Sequence, residues 1–159
     1  MRRMLKRWIE LMVFASLVPA AQVAQASPFA YVPNGGSGSG NLSVIDTATA
    51  SVVHTITIDS SLQTAAVSPN GFRVYTASIL SGNIYAINAF TNAVVATIPT
   101  TPFGVYCVAV NPSGTRLYGL RGDNGLEVVD ATTNMTLTTV FDPAFDGMQS
   151  PALAPSLHR

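Results

Sequence analysis

Asp142 and Asp146 are the nearest approach in this chain to a paired carboxylate. Converging oxygens of that kind can do acid–base work or hold a hard cation such as Ca²⁺. In a stretch that also carries Pro143 and Gly147, a solvated loop is the favoured reading. Arg121-Gly122-Asp123 matches the tripeptide that integrins bind, but three residues fit an ordinary polar turn equally well. Gly35-Gly36-Ser37-Gly38-Ser39-Gly40 has the composition of a phosphate loop. Such a loop must open a helix, whereas the residues after it read as a strand. Nucleophilic catalysis lacks its parts. Cys107 is the lone cysteine, His54 falls in an outer strand and His158 in the last residues, so neither histidine is placed to activate a nucleophile. No catalytic residue, metal ligand set or cofactor is assigned.

Charge narrows the field further. The 159 residues carry 8 basic and 8 acidic side chains, and charged residues are only 10% of the total. The balance is uneven along the chain. Arg2, Arg3, Lys6 and Arg7 precede an apolar stretch from Leu11 to Val18, and Ala24-Gln25-Ala26 precedes Ser27. A positive segment, an apolar segment and a small-x-small cleavage pattern are the three parts of a secretory signal peptide. Residues 1–26 are therefore read as a signal helix, with Ala24 and Ala26 flanking the scissile position and general secretion preferred over twin-arginine export. The apolar run is too short for a membrane span of about 30 Å. Residues 27–159 keep four arginines, no lysine and seven acids, a net charge of −3. Such a surface repels phosphate backbones, which excludes nucleic acid as a partner. One cysteine leaves no internal disulfide, and in an exported chain Cys107 fits a small buried apolar residue.

The mature chain repeats itself. Ser68-Pro69-Asn70-Gly71-Phe72-Arg73-Val74-Tyr75 recurs as Asn111-Pro112-Ser113-Gly114-Thr115-Arg116-Leu117-Tyr118, and Ala154-Pro155-Ser156 begins it again. Pro69, Pro112 and Pro155 are each 43 residues apart. A second block ends at Asp46, Asn88 and Asp130, each 42 residues after the last. Within a unit the segments are short, β-branched and bounded by turn residues. The second unit predicts strands at Thr64–Ser68, Phe72–Ala77, Asn83–Asn88 and Ala93–Ile98, with turns at Pro69-Asn70-Gly71, Ser81-Gly82 and Ala89–Asn92. Four strands in about 43 residues is the spacing of a β-propeller blade. The expected fold is all-β, with units near 29–71, 72–114 and 115–159. The chain opens on the second strand of one unit and closes inside the first strand of another.

Ala30-Tyr31-Val32-Pro33-Asn34, Leu42-Ser43-Val44-Ile45-Asp46-Thr47, Val52-Val53-His54-Thr55-Ile56 and Ala66-Val67-Ser68-Pro69-Asn70-Gly71 together resemble the YVTN family of β-propeller repeats. The resemblance runs over roughly residues 29–159 and loosens in the third unit, where Phe141–Gly147 replaces a short link. Trp8 is the only tryptophan, so the Trp-Asp signature of WD40 repeats is missing. The resemblance implies an exported, periplasmic or surface-bound binding scaffold and implies no common reaction. Closed propellers have four to eight blades. About three units therefore lead to the expectation of an incomplete propeller, completed by further blades or by self-association.

In a four-strand meander alternate links lie at one end of the sheet. Residues 33–41, 77–82 and 120–125 share an end with 58–63, 99–104 and 141–149. Variable loops on a rigid frame are where binding tends to reside. Asp59, Arg121, Asp123, Asp142 and Asp146 are therefore the candidate charged groups for a protein or small ligand. A propeller enzyme of lactonase or dehydrogenase-subunit type, or a surface-layer component, are the other readings. An enzyme of that kind would direct Asp, Asn, Glu or His into the centre from the inner strands, which here read Thr64-Ala65-Ala66-Val67 and Val105–Val110.

Overall fold

The computed structural model describes residues 28–35, 40–59, 61–100 and 103–145. The signal segment, with Ala24 and Ala26, lies outside the described residues, as do Asp146 and residues 147–159. Eleven strands follow one another: β1 Phe29–Asn34, β2 Asn41–Asp46, β3 Ser51–Thr57, β4 Leu62–Val67, β5 Arg73–Ser78, β6 Asn83–Asn88, β7 Ala93–Pro99, β8 Val105–Val110, β9 Arg116–Arg121, β10 Gly125–Asp130 and β11 Met135–Phe141. They form one three-stranded sheet, β1-β2-β3, and two four-stranded sheets, β4-β5-β6-β7 and β8-β9-β10-β11. Every pairing is antiparallel between neighbours in sequence. The all-β expectation and the meander order both hold.

The turn chemistry repeats with the strands. Asp46, Asn88 and Asp130 each turn Oδ1 onto two backbone N–H groups ahead of them, at Ala48 and Thr49, Phe90 and Thr91, and Thr132 and Thr133. These side-chain caps replace the backbone bonds that a tight turn leaves unmade. The two N–H groups on Asp130, helped by Arg116, hold its carboxyl below the usual carboxylate range. Bulges fall at the same register in each sheet, at Val44/Ile45, Ala86/Ile87 and Val128/Val129. Gly71 and Gly114 supply φ of 74° and 72° in the Pro-containing turns, a conformation that favours glycine. The main departure from the sequence reading is at β4, which starts at Leu62 rather than Thr64. An irregular register between Leu62 and Ala65 hides that start from a strict alternation.

Neighbouring sheets stack face to face. Leu42, Val44 and Ile56 of the first sheet pack on Leu62, Val74, Tyr85 and Ile87 of the second. Tyr75, Ala77, Ile84, Ala86 and Ile98 of the second pack on Val105, Val108, Leu117 and Val129 of the third. Gly119 lets the sheets close, since a Cβ there would lie 2.8 Å from the Ile84 Cδ1. Hydrogen bonds tie the same seams. The Tyr31 hydroxyl donates to the Ala89 carbonyl at 3.5 Å, and the Tyr75 hydroxyl to the Ala131 carbonyl at 3.3 Å. Between the inner strands, Val108 N–H donates to Thr64 Oγ1 at 3.0 Å.

Val108 lies at the buried seam, so losing its acceptor is costly. Thr64→Val should lower the unfolding free energy by about 1–3 kcal/mol, with Thr64→Ser close to the parent. Urea denaturation of the three proteins checks this; equal midpoints would show that the seam does not need the bond.

Candidate functional site

One structural position recurs at the loop end of each sheet, on the equivalent strands β2, β6 and β10. It is Ser43 in the first sheet, Tyr85 in the second and Glu127 in the third. Each joins a polar cluster. Asn34 Nδ2 donates to Ser43 Oγ at 2.9 Å. The Tyr85 hydroxyl donates to Asp59 Oδ2 at 2.7 Å and sits 3.2 Å from Ser81 Oγ. Burial pushes the Tyr85 hydroxyl pKa upward, so it stays a donor. Glu127 Oε2 accepts from Arg121 Nη1 at 3.0 Å and from Thr139 Oγ1 at 3.0 Å.

Arg121 is the centre of the third cluster. Its Nε and Nη2 grip both oxygens of Asp123, at 3.1 and 2.8 Å. Its guanidinium carbon lies 5.8 Å from the ring centres of Phe103 and of Phe141, within cation–π range. The side chain is only 8% exposed. Two carboxylates and two rings therefore satisfy this cation from within. The integrin-like tripeptide is not displayed, because its arginine is buried and clasped by its own aspartate.

The other candidate charges separate. Asp59 is engaged by Tyr85 in the second cluster. Asp142 is exposed, and its Oδ1 caps the short 3₁₀ turn Pro143–Phe145 by accepting from Ala144 N–H at 2.9 Å. Asp146 lies outside the described residues. The structure thus brings Arg121 and Asp123 together, and adds Glu127, which the sequence reading left as a strand residue. A glutamate where the equivalent strands carry Ser43 and Tyr85 was the available signal. Among the described residues no group of three His, Cys, Asp or Glu is placed to hold a metal ion. His54 lies on β3, exposed, and the Cys107 thiol is buried, its pKa raised by that burial.

The opposite end carries a feature the sequence reading passed over. A groove of about 630 Å³ opens between the first and second sheets. Phe29, Tyr31, Val53 and His54 line one side, with Phe72, Phe90 and Asn92 on the other. Phe72 and Phe90 are 55% and 74% exposed, yet their rings pack on each other with centres 5.2 Å apart. They sit on the short turns that join β4 to β5 and β6 to β7. Their equivalents elsewhere are Thr115, Ala48 and Thr132, so the two phenylalanines are the exception in their positions.

Solved structures with the same arrangement identify the architecture. U3-55K superposes with a TM-score of 0.65 over 72% of this chain and 36% of its own, at 16% identity. The WD40 repeats of RRP9 give 0.65 over 72% and 35%, also at 16% identity. These sheets are β-propeller blades. Hydrazine synthase of Kuenenia stuttgartiensis shares them too, with a TM-score of 0.62 over 65% of this chain and 30% of its own, at 16% identity. The chain spans about a third of the length of these structures. No protein-family model and no curated protein matches the sequence.

The Arg121 cluster should act as a strut of the third blade. Glu127→Ala leaves a buried guanidinium short of an anion and should cost about 3–5 kcal/mol. Replacing the pair together, Arg121→Met with Glu127→Leu, should recover most of that. Chemical denaturation distinguishes the cases, and a silent Glu127→Ala would remove the strut role.

Proposed function

We propose that the chain is an exported β-propeller module of the YVTN type, working as a binding scaffold for a protein or small ligand rather than as an enzyme. Residues 1–26 serve as the export signal and 27–159 as the propeller units. The fold alone does not choose a function, since WD40 repeats and a synthase share it. The observation that carries the reading is the aromatic groove. Three phenylalanines, Phe29, Phe72 and Phe90, stand exposed around one concavity in a chain whose charged residues are scarce. Contiguous exposed apolar surface rimmed by polar groups marks contact with a partner or ligand. Asn70, Asn92 and His54 supply the polar rim. At the loop end, Asp59 and Asp142 offer a second, acidic margin for a ligand, whereas Arg121 and Asp123 brace the blade. A net charge of −3 on the mature chain sets it against nucleic acid. No helix among the described residues is long and apolar enough to cross a membrane.

The groove should take an aromatic probe. The dye 8-anilinonaphthalene-1-sulfonate should bind the folded protein at one site, and Phe72→Ala with Phe90→Ala should weaken that binding about tenfold. Unchanged dye affinity in the double variant would move recognition elsewhere. Export is tested separately: on expression with its leader in a bacterial host, the protein outside the cytoplasm should begin at Ser27. A chain that keeps residues 1–26 would contradict the signal reading.

A further inference from the structure

Three arginines fall among the described residues, and two of them hold carboxylates. Arg121 grips Asp123 and Glu127, and Arg116 Nη1 donates to Asp130 Oδ2 at 2.8 Å. Arg73 stands in the second sheet where Arg116 stands in the third. Each opens its strand, β5 or β9, and each is paired across the ladder with the residue that closes the next strand, Asn88 or Asp130. An amide thus replaces the carboxylate. Arg73 has no ion-pair partner among the described residues, and its Nη1 is buried without a hydrogen-bond acceptor.

The amide cannot turn round to help. Asn88 Oδ1 already accepts from Phe90 N–H at 2.9 Å and from Thr91 N–H at 3.1 Å, as Asp130 Oδ1 accepts from Thr132 and Thr133. A flip would set Nδ2 against those two N–H groups. Nδ2 is therefore held in the place that Asp130 Oδ2 fills in the third blade, and it has no acceptor there among the described residues. Two donors occupy a pair of positions that elsewhere carries a donor and an acceptor. Both residues are half-buried, so solvent reaches them from one side. A buried guanidinium nitrogen in that state is costly until an acceptor arrives. Tyr75, two residues along β5 and so on the same face, packs on the third sheet and donates to the Ala131 carbonyl. Arg73 therefore belongs to the seam between the second and third blades, not to the groove between the first and second.

We propose that Arg73 and Asn88 form a binding site for a small carboxylate at the short-turn end of that seam. One carboxylate oxygen accepts from the Arg73 guanidinium and the other from Asn88 Nδ2, so the ligand supplies to the second blade what Asp130 supplies to the third. The bond to the guanidinium is charge-assisted, and the amide fixes the orientation of the second oxygen. The class of anion follows from the third blade, where the same arginine position is matched to a carboxylate. The site uses none of the residues that line the aromatic groove.

Acetate is the probe, titrated into the purified protein against chloride at constant ionic strength and followed by NMR of the arginine side-chain N–H signals. The Arg73 signals should move along a saturating curve, while those of Arg116 and Arg121 stay in place. Asn88→Asp puts the carboxylate within the chain and should weaken acetate binding at least about tenfold. That variant keeps the turn, because Asp46 and Asp130 cap the equivalent turns. Arg73→Met should abolish the response, and inorganic phosphate should bind more weakly than acetate. A response that is linear, or shared by all three arginines, would mean an adventitious ion only and would overturn the proposal. Parent-like acetate binding by Asn88→Asp, or tighter binding of phosphate, would overturn it equally.

Discussion

A four-stranded antiparallel sheet with apolar residues on both faces cannot stand alone in water, and every other feature of this chain answers to that constraint. Each blade carries a forward set (Leu42, Val44 and Ile56, or Ile84, Ala86 and Ile98) and a backward set (Val74 and Ile87, or Leu117 and Val129). Neither set is buried by its own sheet. Stability comes from the seam, so it accumulates with each stacked neighbour. Low charge follows from the same cause. A residue with a sheet neighbour on each side has few positions left that face water, and 10% charged residues is what remains.

The seams also explain which polar groups are placed with care. Burial between blades makes an unpaired donor expensive, and the chain meets this with a small set of repeated bonds. Tyr31 and Tyr75 span their seams to the turn beyond, and Thr64 Oγ1 receives the Val108 N–H of the neighbouring inner strand. At the loop end the solutions diverge while the position stays. Ser43 with Asn34, Tyr85 with Asp59, and Glu127 with Arg121 fill equivalent space with increasing charge. Only the third needs a second carboxylate and two flanking rings. A frame that accepts three chemistries at one position is a frame whose surface can change without refolding.

Much of this was legible in the sequence because the repeat is enforced by local chemistry. Pro69-Asn70-Gly71 and Asp130-Ala131-Thr132 announce their turns through proline, glycine and side-chain caps, each acting within a few residues. Strand order followed from those turns. The start of β4 was not legible, because the irregular pairing of Leu62 and Ala65 with β5 breaks the alternation on which strand reading relies. The candidate site was less legible for a different reason. Arg121 and Asp123 look available in a linear sequence, yet the arginine is buried by Phe103, Phe141 and Glu127, which come from three separate segments. Charge on a loop signals exposure only when no partner folds over it, and that depends on contacts the repeat does not encode.

Phe72 and Phe90 show the converse. Their turns are built by Asn70 and Asn88, whose side-chain oxygens cap the backbone whatever residue follows. Because the turn does not depend on the following side chain, that side chain is free to vary, and Thr115 and Thr132 fill the same positions in the third blade. A large apolar ring in such a position gains nothing for the turn and is more than half exposed to water. Two of them in contact, on turns 18 residues apart in sequence, form a surface that folding does not require. Its explanation must come from outside the fold. The proposed contact surface therefore lies at the short-turn end of the blades, opposite to the loops that carry Asp59 and Asp142.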